Sequence, residues 1–375
     1  MEQAGTIPRG LVDVSAWRDL LLRPGPVATV CLAVPGASDN AGPKNQLRWQ
    51  EARRRLEEQG AVPGAVAAVD DVIGDAHHFG EGLAVYADAG GIINVTYSPV
   101  PPRHEVVRWD TLASLSPVLG WRQHQPTYLV VLVDHQGADL FASGSGIADR
   151  HEEAGAADRY PVARNAPGGW SQRRYQQHAV ENWTESAREV ADAVSRLSEE
   201  VHPEIVLVGG DPRSVELLMG ALPGPVAGRT ATVDGTRAAD GGGDHSAREV
   251  ATMVETVAAR RTVEVLEEFR MHRGRHDRAV EGVGPTLQAL RENRVAALLF
   301  HDVPADARRA WFGSDPTAVA PTAEMVEGVG GGPIGDGRLV DVAVRAAATS
   351  GAAVRLVPEA GGPAEGLGAL LRWSD

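Results

Sequence analysis

The stretch PGGWSQRRYQQHAVENW, residues 167–183, decides how the rest of the chain is interpreted. Two glycines lead into a tryptophan, a serine and two arginines, and serine is a residue type that commonly caps the start of a helix. From Ala179 to Val201 apolar residues recur at spacings of three and four. This spacing predicts a helix of about 30 residues that begins at Ser171.

The segment around this helix start is basic, although the protein is acidic. The chain of 375 residues has 50 acidic and 36 basic residues and a formal charge of −14. Residues 159–180 contain no acid, and their arginines are Arg159, Arg164, Arg173 and Arg174. Cations in the first turn of a helix are unfavourable by about 0.3–1 kcal/mol, so Arg173 and Arg174 indicate an anionic partner such as a phosphate backbone. The alternative is an ordinary solvated basic surface.

The composition excludes several classes of protein. The chain has no apolar run of about 18 residues and no signal-peptide pattern at its N-terminus, so we expect a cytoplasmic protein without membrane contact. Its one cysteine, Cys31, lies in an apolar run and is expected to be buried. The negative net charge argues against binding to DNA, and any RNA contact must come from local basic patches.

Apolar runs and turn signals predict an α/β fold of three domains, over residues 1–125, 126–258 and 259–375. The first is predicted to be α+β, with a helix over 11–22, a strand over 26–34, a helix over 43–60 and a hairpin about Gly90 and Gly91. The second is predicted to be α/β, with a hairpin before the long helix and a strand, turn and helix over 203–224. Another long helix, over 246–274, leads into repeated helix–strand pairs, which predict an α/β/α sandwich.

Sequence motifs for other chemistries are weak. The stretch GGGPIG at 330–335 matches the dinucleotide-binding pattern Gly-x-Gly-x-x-Gly. However, the sequence before it does not predict the strand that this motif needs. The adjacent His77 and His78 do not share a face in a helix or a strand, and no zinc or nucleophile-elbow motif is present. We therefore expect no metal and no cofactor.

The stretch GGWSQRRY resembles the loop of the archaeal and eukaryotic class 1 peptide release factors, which has the pattern Gly-Gly-Gln-Ser-x-x-Arg-Phe. The matching positions are Gly168, Gly169, Ser171 and Arg174, with Tyr175 at the aromatic position. Together with the helix over 43–60, the stretch is similar to the bacterial branch of this family found in actinobacteria, related to the ribosome hibernation factor Balon. The resemblance implies a release-factor-like chain whose C-terminal domain has a ribosomal-protein type of fold.

The sequence departs from the family at the residue that performs hydrolysis. In release factors the third residue of the loop is a glutamine that positions a water for attack on the peptidyl-tRNA ester. Here it is Trp170, whose indole is a donor only and cannot accept a proton from a water. The sequence also lacks the stop-codon-reading tetrapeptide NIKS. We therefore expect neither ester hydrolysis nor codon reading, unless Gln172 replaces the missing glutamine.

The resemblance implies a ribosome hibernation factor that occupies the vacant A site under stress. Its first domain would lie toward the decoding centre, its second toward the peptidyl-transferase region and its third toward the translational GTPase, with EF-Tu as partner. The predicted contacts to 16S and 23S rRNA in the 70S ribosome are Gly168, Gly169, Trp170, Ser171, Gln172, Arg173, Arg174, Arg164, Arg159, Arg48, Arg53 and Arg54. The alternative is a peptidyl-tRNA hydrolase or rescue release factor that uses Gln172.

Overall fold

The computed structural model describes residues 10–34, 41–75, 81–144, 147–155, 171–235, 243–303, 305–327 and 333–374, with side chains of the long middle helix described from Thr184 onward. The α-helices are α1 (Arg18–Leu21), α2 (Ala41–Glu58), α3 (Pro63–Asp75), α4 (Ser116–His124), α5 (Ser171–Val201), α6 (Pro212–Ala221), α7 (Gly224–Ala227), α8 (Gly243–Arg275), α9 (Val283–Arg291), α10 (Ala323–Glu327) and α11 (Leu339–Ser350).

The strands alternate with these helices along the chain, which confirms the predicted α/β class. They are β1 (Val27–Ala33), β2 (Gly82–Asp88), β3 (Gly91–Ser98), β4 (Val106–Asp110), β5 (Tyr128–Val133), β6 (Ala138–Ser143), β7 (Arg150–Ala154), β8 (Ile205–Gly210), β9 (Thr230–Thr232), β10 (Ala279–Glu281), β11 (Val295–Phe300), β12 (Arg309–Gly313), β13 (Val319–Ala320), β14 (Pro333–Arg338), β15 (Ala353–Leu356) and β16 (Leu367–Leu371).

The chain divides into two compact units. One consists of Met1–Gln123 together with Arg261–Asp375, and the other consists of His124–Arg260. The first unit therefore contains both the N-terminal and the C-terminal segments of the sequence. The three domain ranges given above stay a prediction.

The unit His124–Arg260 is built on a five-stranded sheet of order β7-β6-β5-β8-β9. Strands β5, β8 and β9 are parallel, and β6 and β7 continue the sheet antiparallel to β5. Alternate residues of β5 and β6, such as Leu129 and Leu140, point to one face and are buried there under α5 and α6. The predicted hairpin, long helix and strand–turn–helix are all present in this unit.

In the other unit, the N-terminal segment forms an antiparallel sheet of order β3-β2-β1-β4. One face of β1 and β2, including Val30 and Val85, packs under α2 and α3 around Trp49. The opposite face, including Cys31 and Tyr86, belongs to a core that also contains α11 residues such as Val344. Cys31 is therefore buried, as predicted, and this burial raises the pKa of its thiol.

The C-terminal segment forms a sheet of order β10-β16-β11-β15 with helices on both faces. Leu298 and Phe300 of β11 face the core shared with α9 and α11. Ala297 and Leu299 point the other way, toward Phe269 of α8. This alternation confirms the α/β/α sandwich predicted for this segment.

The start of the chain differs from the predicted helix over 11–22. The side chain of Asp13 accepts hydrogen bonds from the Ser15 N–H and hydroxyl, both at 2.8 Å, and a 3₁₀ turn over Ser15–Trp17 follows before the short α1. Val12 lies outside that turn and pairs as an isolated bridge with Val354 of β15. A side chain that forms hydrogen bonds to nearby backbone groups competes with helix formation. The bridge with Val354 also keeps the backbone around Val12 extended.

Several elements were not predicted, among them α3, β4, α4, β7 and the three-stranded sheet β13-β12-β14. The stretch GGGPIG lies partly in that last sheet, because β14 begins at Pro333, and residues 328–332 lie outside the described part. Its glycines are therefore not followed by a helix start as the dinucleotide motif requires. None of the helices that the structure describes has the length and apolar content needed to cross a membrane.

Candidate ribosomal RNA interface

Helix α5 begins at Ser171 and runs for 31 residues, which confirms the helix predicted after the glycine pair. Gly168, Gly169 and Trp170, together with Arg159 and Arg164, lie outside the described residues. Ser171, Gln172, Arg173 and Arg174 form the first turn of α5, and their side chains are also outside the described part. The structure thus places the two arginines at the positive end of the helix dipole by their backbone alone.

The C-terminal half of α5 fixes the helix to its sheet. Ala187, Val190, Val194, Leu197 and Val201 are buried, and all of these positions were predicted to be apolar contacts. Ala187 follows Ser171 by 16 residues, which corresponds to roughly 24 Å along the helix axis at 1.5 Å per residue. The core contacts that hold α5 in position therefore begin several helical turns after its start.

Ion pairs join the same half of α5 to the edge strand β7. Arg150 pairs with Glu200 at 2.7 Å, and Arg196 pairs with Glu152 at 2.7 Å and with Glu200 at 3.3 Å. The hydrogen bond from Arg150 lowers the pKa of Glu200, and the hydrogen bond to Glu152 raises the pKa of Arg196. Because these groups are exposed or, in the case of Glu152, half-buried, each pair contributes little stability, but together they orient β7, which precedes the basic segment in the chain.

The other predicted RNA contacts, Arg48, Arg53 and Arg54, lie on α2 in the other unit. Arg53 pairs with Glu57 and with Asp70, both at 2.9 Å. Arg54 pairs with Glu51 at 2.7 Å and with Glu58. Arg48 donates to the Ala33 carbonyl at 3.2 Å and lies 3.7 Å from Glu105.

The acids in α2 distinguish its sequence from residues 159–180. Carboxylates of the same unit already neutralise Arg53 and Arg54, whereas residues 159–180 contain no acid at all. A phosphate that binds Arg54 has to compete with Glu51 and Glu58, but the cost of this competition is small because all three side chains are exposed. A contact of α2 with rRNA stays a prediction.

A group of potential metal ligands was not found from the sequence. Ligand atoms of Asp139, His151 and Glu153 lie within 4.8 Å of one another on β6 and β7. Asp139 is directly opposite Glu153 in the antiparallel register, and His151 is opposite Phe141, on which its ring stacks at 4.5 Å. Strand register is not visible in a single sequence, which is why this group was missed. His151 and Glu153 are exposed, and we assign no ion to them.

Residues 127–275 match the family model of the bacterial archaeo-eukaryotic release factor family 2. This segment is therefore similar to that release-factor family. The match covers the glycine pair, Trp170 and the whole of α5. It confirms the release-factor resemblance that the sequence analysis based on residues 168–175.

Two mycobacterial proteins are similar to this chain over nearly its whole length. The Mycobacterium tuberculosis proteins MT2704 (strain CDC 1551) and Rv2629 (strain H37Rv) are 27% identical over 371 residues, which cover 95% of this chain and 96% of each relative.

Solved structures of translation factors are also similar. The archaeal translation termination factor aRF1 is 17% identical, with a TM-score of 0.24, over 95% of this chain and 96% of that one. Archaeoglobus fulgidus Pelota is 12% identical, with a TM-score of 0.35, over 97% of this chain and 94% of that one. Dom34 of S. cerevisiae is 11% identical, with a TM-score of 0.38, over 78% of this chain and 80% of that one.

Proposed function

We propose that this protein is a ribosome-binding factor that occupies the vacant A site without reading a stop codon and without hydrolysing peptidyl-tRNA. The observation that carries the proposal is the sequence GGWSQRRY directly before and within the start of α5, inside the segment that matches the release-factor family. The match of residues 127–275 to the family model supports the site of action, and the tryptophan at the third position supports the absence of hydrolysis.

Charge and backbone position support RNA as the partner of this site. The first turn of an α-helix has free backbone N–H groups and a positive dipole end, and both favour a phosphate. Arg173 and Arg174 lie in that turn, where they do not stabilise the helix. A phosphate bound there would be bridged by two guanidinium groups and by backbone N–H groups at the same time.

The chemistry of Trp170 supports binding in place of catalysis. A glutamine carboxamide can both donate to and accept from a water, whereas the indole N–H only donates. An indole ring offers a large apolar face that stacks on nucleobases, and neighbouring arginines add cation–π and phosphate contacts. The loop therefore retains the means to hold RNA after it has lost the means to activate a water.

The remaining parts of the proposal follow the family. The N-terminal segment would lie toward the decoding centre and 16S rRNA, the basic segment near the peptidyl-transferase region of 23S rRNA, and the C-terminal α/β/α sandwich toward the GTPase side. EF-Tu is the proposed delivery partner, and hibernation under stress is the proposed setting. These assignments rest on the resemblance and are tested separately from ribosome binding.

Replacing both arginines, Arg173→Gln with Arg174→Gln, is expected to weaken co-sedimentation with 70S ribosomes. The slope of log K against log salt should become shallower by about 1.4–1.8, because each of the two phosphate contacts contributes a slope of roughly 0.7–0.9. The matched control is Arg150→Gln with Arg196→Gln, which removes the same charge from the same unit but from side chains already paired with Glu152 and Glu200. Equal losses in the two double variants would contradict a specific phosphate contact.

Purified wild-type protein is expected to release no peptide from peptidyl-tRNA on stalled ribosomes. The alternative function, a rescue hydrolase, predicts turnover that disappears in Gln172→Ala. Gln172 is the second residue of α5, so it is part of the helix. Turnover by the wild type that Gln172→Ala abolishes would favour the hydrolase and overturn the proposal.

A further inference from the structure

A side chain closes the outer edge of the N-terminal sheet. Strand β4 is the last strand in the order β3-β2-β1-β4, so in the part of the chain that the structure describes it pairs with β1 alone. On its other side the Gln59 carboxamide accepts from the Trp109 N–H at 2.8 Å and donates to the Val107 carbonyl at 3.3 Å. A residue of a parallel strand would bind the same two groups, because its bonds reach backbone groups two residues apart.

The end of α2 holds the Gln59 side chain against this edge. Gln59 directly follows α2, which the buried side chains of Trp49 and Leu56 fix to the sheet. The helix ends at Gly60, which has a φ of 84°, and the Ala61 N–H donates back to the Leu56 carbonyl at 3.0 Å. A glycine in the left-handed conformation with such a backward bond is a common helix end. The position of Gln59 is therefore set by the helix and its end.

A second glutamine closes the edge of the C-terminal sheet, where β15 is the last strand in the order β10-β16-β11-β15. Val354 of β15 exchanges two backbone hydrogen bonds with Val12, at 2.8 and 2.9 Å. Two residues later, the Leu356 N–H donates to Gln123 Oε1 at 2.9 Å, and Gln123 Nε2 donates to the Leu356 carbonyl at 3.0 Å. In an antiparallel ladder one residue exchanges both bonds with its partner in this way. The Gln123 carboxamide thus continues along β15 the pairing that Val12 begins.

Sheet edges pair with other chains unless a protein protects them, often with charged side chains. Strand β7 has the charged sequence RHEEA. The charged residues of β4 are engaged within their own unit, because Asp110 pairs with Arg309 at 3.0 Å and Arg108 lies near the carboxyl group of Asp341. Arg355 of β15 is buried. Since glutamine carries no charge, closure of β4 and β15 depends on the hydrogen bonds of the two carboxamides.

We propose that Gln59 and Gln123 are edge-closing residues, which keep β4 and β15 from pairing with a strand of a second copy of the chain. A cavity of about 260 Å³ already lies beside the β4 edge, lined in part by Gln59 and Val107. Without the Gln59 carboxamide, the Val107 carbonyl and the Trp109 N–H are open to an incoming strand. Pairing of the same edge in two copies is antiparallel and produces a closed dimer with a two-fold axis.

The test is Gln59→Met in the full chain, because methionine has a similar length and no N–H donor. At low protein concentration, hydrogen exchange of the Trp109 amide should become faster on the order of 10-fold or more, since it loses its acceptor. At rising concentration, light scattering should show a dimer that the wild type does not form. The matched control is Gln50→Met, which places the same side chain at another exposed position of α2. Gln59→Glu keeps the acceptor and adds a charge, so it should stay monomeric.

Three results would overturn the proposal: unchanged exchange of the Trp109 amide, a monomer at every concentration, or equal dimerisation of Gln59→Met and Gln50→Met. For the second edge, Gln123→Met should speed exchange of the Leu356 amide, and unchanged exchange there would remove Gln123 from the proposal. Gln123 is 7% exposed, so the exposed Gln59 decides the proposal if the Gln123 variant does not fold. All of these measurements use the protein without ribosomes, so the proposal stands or falls independently of ribosome binding.

Discussion

Replacing Asp341 by asparagine is expected to stabilise the protein at alkaline pH and to leave it almost unchanged in acid. Asp341 lies in the first turn of α11, is 2% exposed, and lies near Ser114 and Arg108 of the N-terminal segment. Burial raises the pKa of its carboxyl group from 3.8 to about 7, an effect that Arg338 opposes and Asp302 reinforces. Asparagine has nearly the same shape and no charge to bury, so it removes this titration.

The direction of this pH dependence follows from the number of protons that the folded and unfolded states bind. The folded protein keeps the proton on Asp341 up to about pH 7, whereas the unfolded chain releases it near pH 3.8. Between these values the folded state binds more protons, so a rise in pH favours unfolding by about 1.4 kcal/mol per pH unit. The variant should therefore gain about 3 kcal/mol in free energy of unfolding relative to the wild type between pH 5 and pH 8.5.

Hydrogen exchange of peptides from α11, compared between variant and wild type at each pH, measures this difference within the unit that contains Asp341. The control is Asp315→Asn in the same unit, where the bond from the Thr317 N–H lowers the pKa of the carboxyl group. Both folded and unfolded Asp315 are ionised above pH 5, so its difference should be constant there. A constant difference for Asp341→Asn as well would show that its carboxyl group does not titrate in this range.

The long elements of this fold could be predicted because their signals are local. Helix α2 has Pro43 near its start and Gly60 just after its end, and α5 has Ser171 at its start and a regular apolar spacing. Strand β1 could be predicted from its continuous apolar run. That run also indicates burial on both faces, and the structure places α2 and α3 on one face and the shared core on the other.

The missed elements depend on contacts between distant residues. Strand β7 has the sequence RHEEA, which has no apolar alternation, and it forms because it pairs with β6 and because Arg150 and Glu152 meet α5. Its ion-pair partners on α5 are 44 and 50 residues away in sequence. Local propensity cannot indicate such a strand, because it is stabilised by tertiary contacts.

Part of the candidate site could be predicted because its signals, like those of the long elements, are local in sequence. The basic segment and the start of α5 are contiguous in sequence, so charge and spacing identify them together. The ion pair of Arg53 with Asp70 and the burial of Asp341 depend on contacts between different elements. Each of these contacts changes the pairing or the pKa of a charged residue, and none can be recognised from the sequence alone.

Replacing Trp170 by alanine is expected to weaken binding to 70S ribosomes by about 5- to 150-fold, since stacking of a base on an aromatic side chain contributes roughly 1–3 kcal/mol. Trp170→Phe keeps a flat aromatic face and should retain most of the affinity. The measurement is co-sedimentation at several salt concentrations. The matched control is Trp373→Ala, which removes another tryptophan that is 51% exposed and belongs to the other unit.

The salt dependence distinguishes this change from the loss of the arginines. Stacking neutralises no phosphate, so Trp170→Ala should lower the affinity by the same factor at every salt concentration and leave the slope unchanged. Arg173→Gln with Arg174→Gln should instead cost most at low salt. Wild-type affinity in Trp170→Ala would mean that the indole does not contact RNA, and the residue that replaces the catalytic glutamine would then have no part in holding the ribosome.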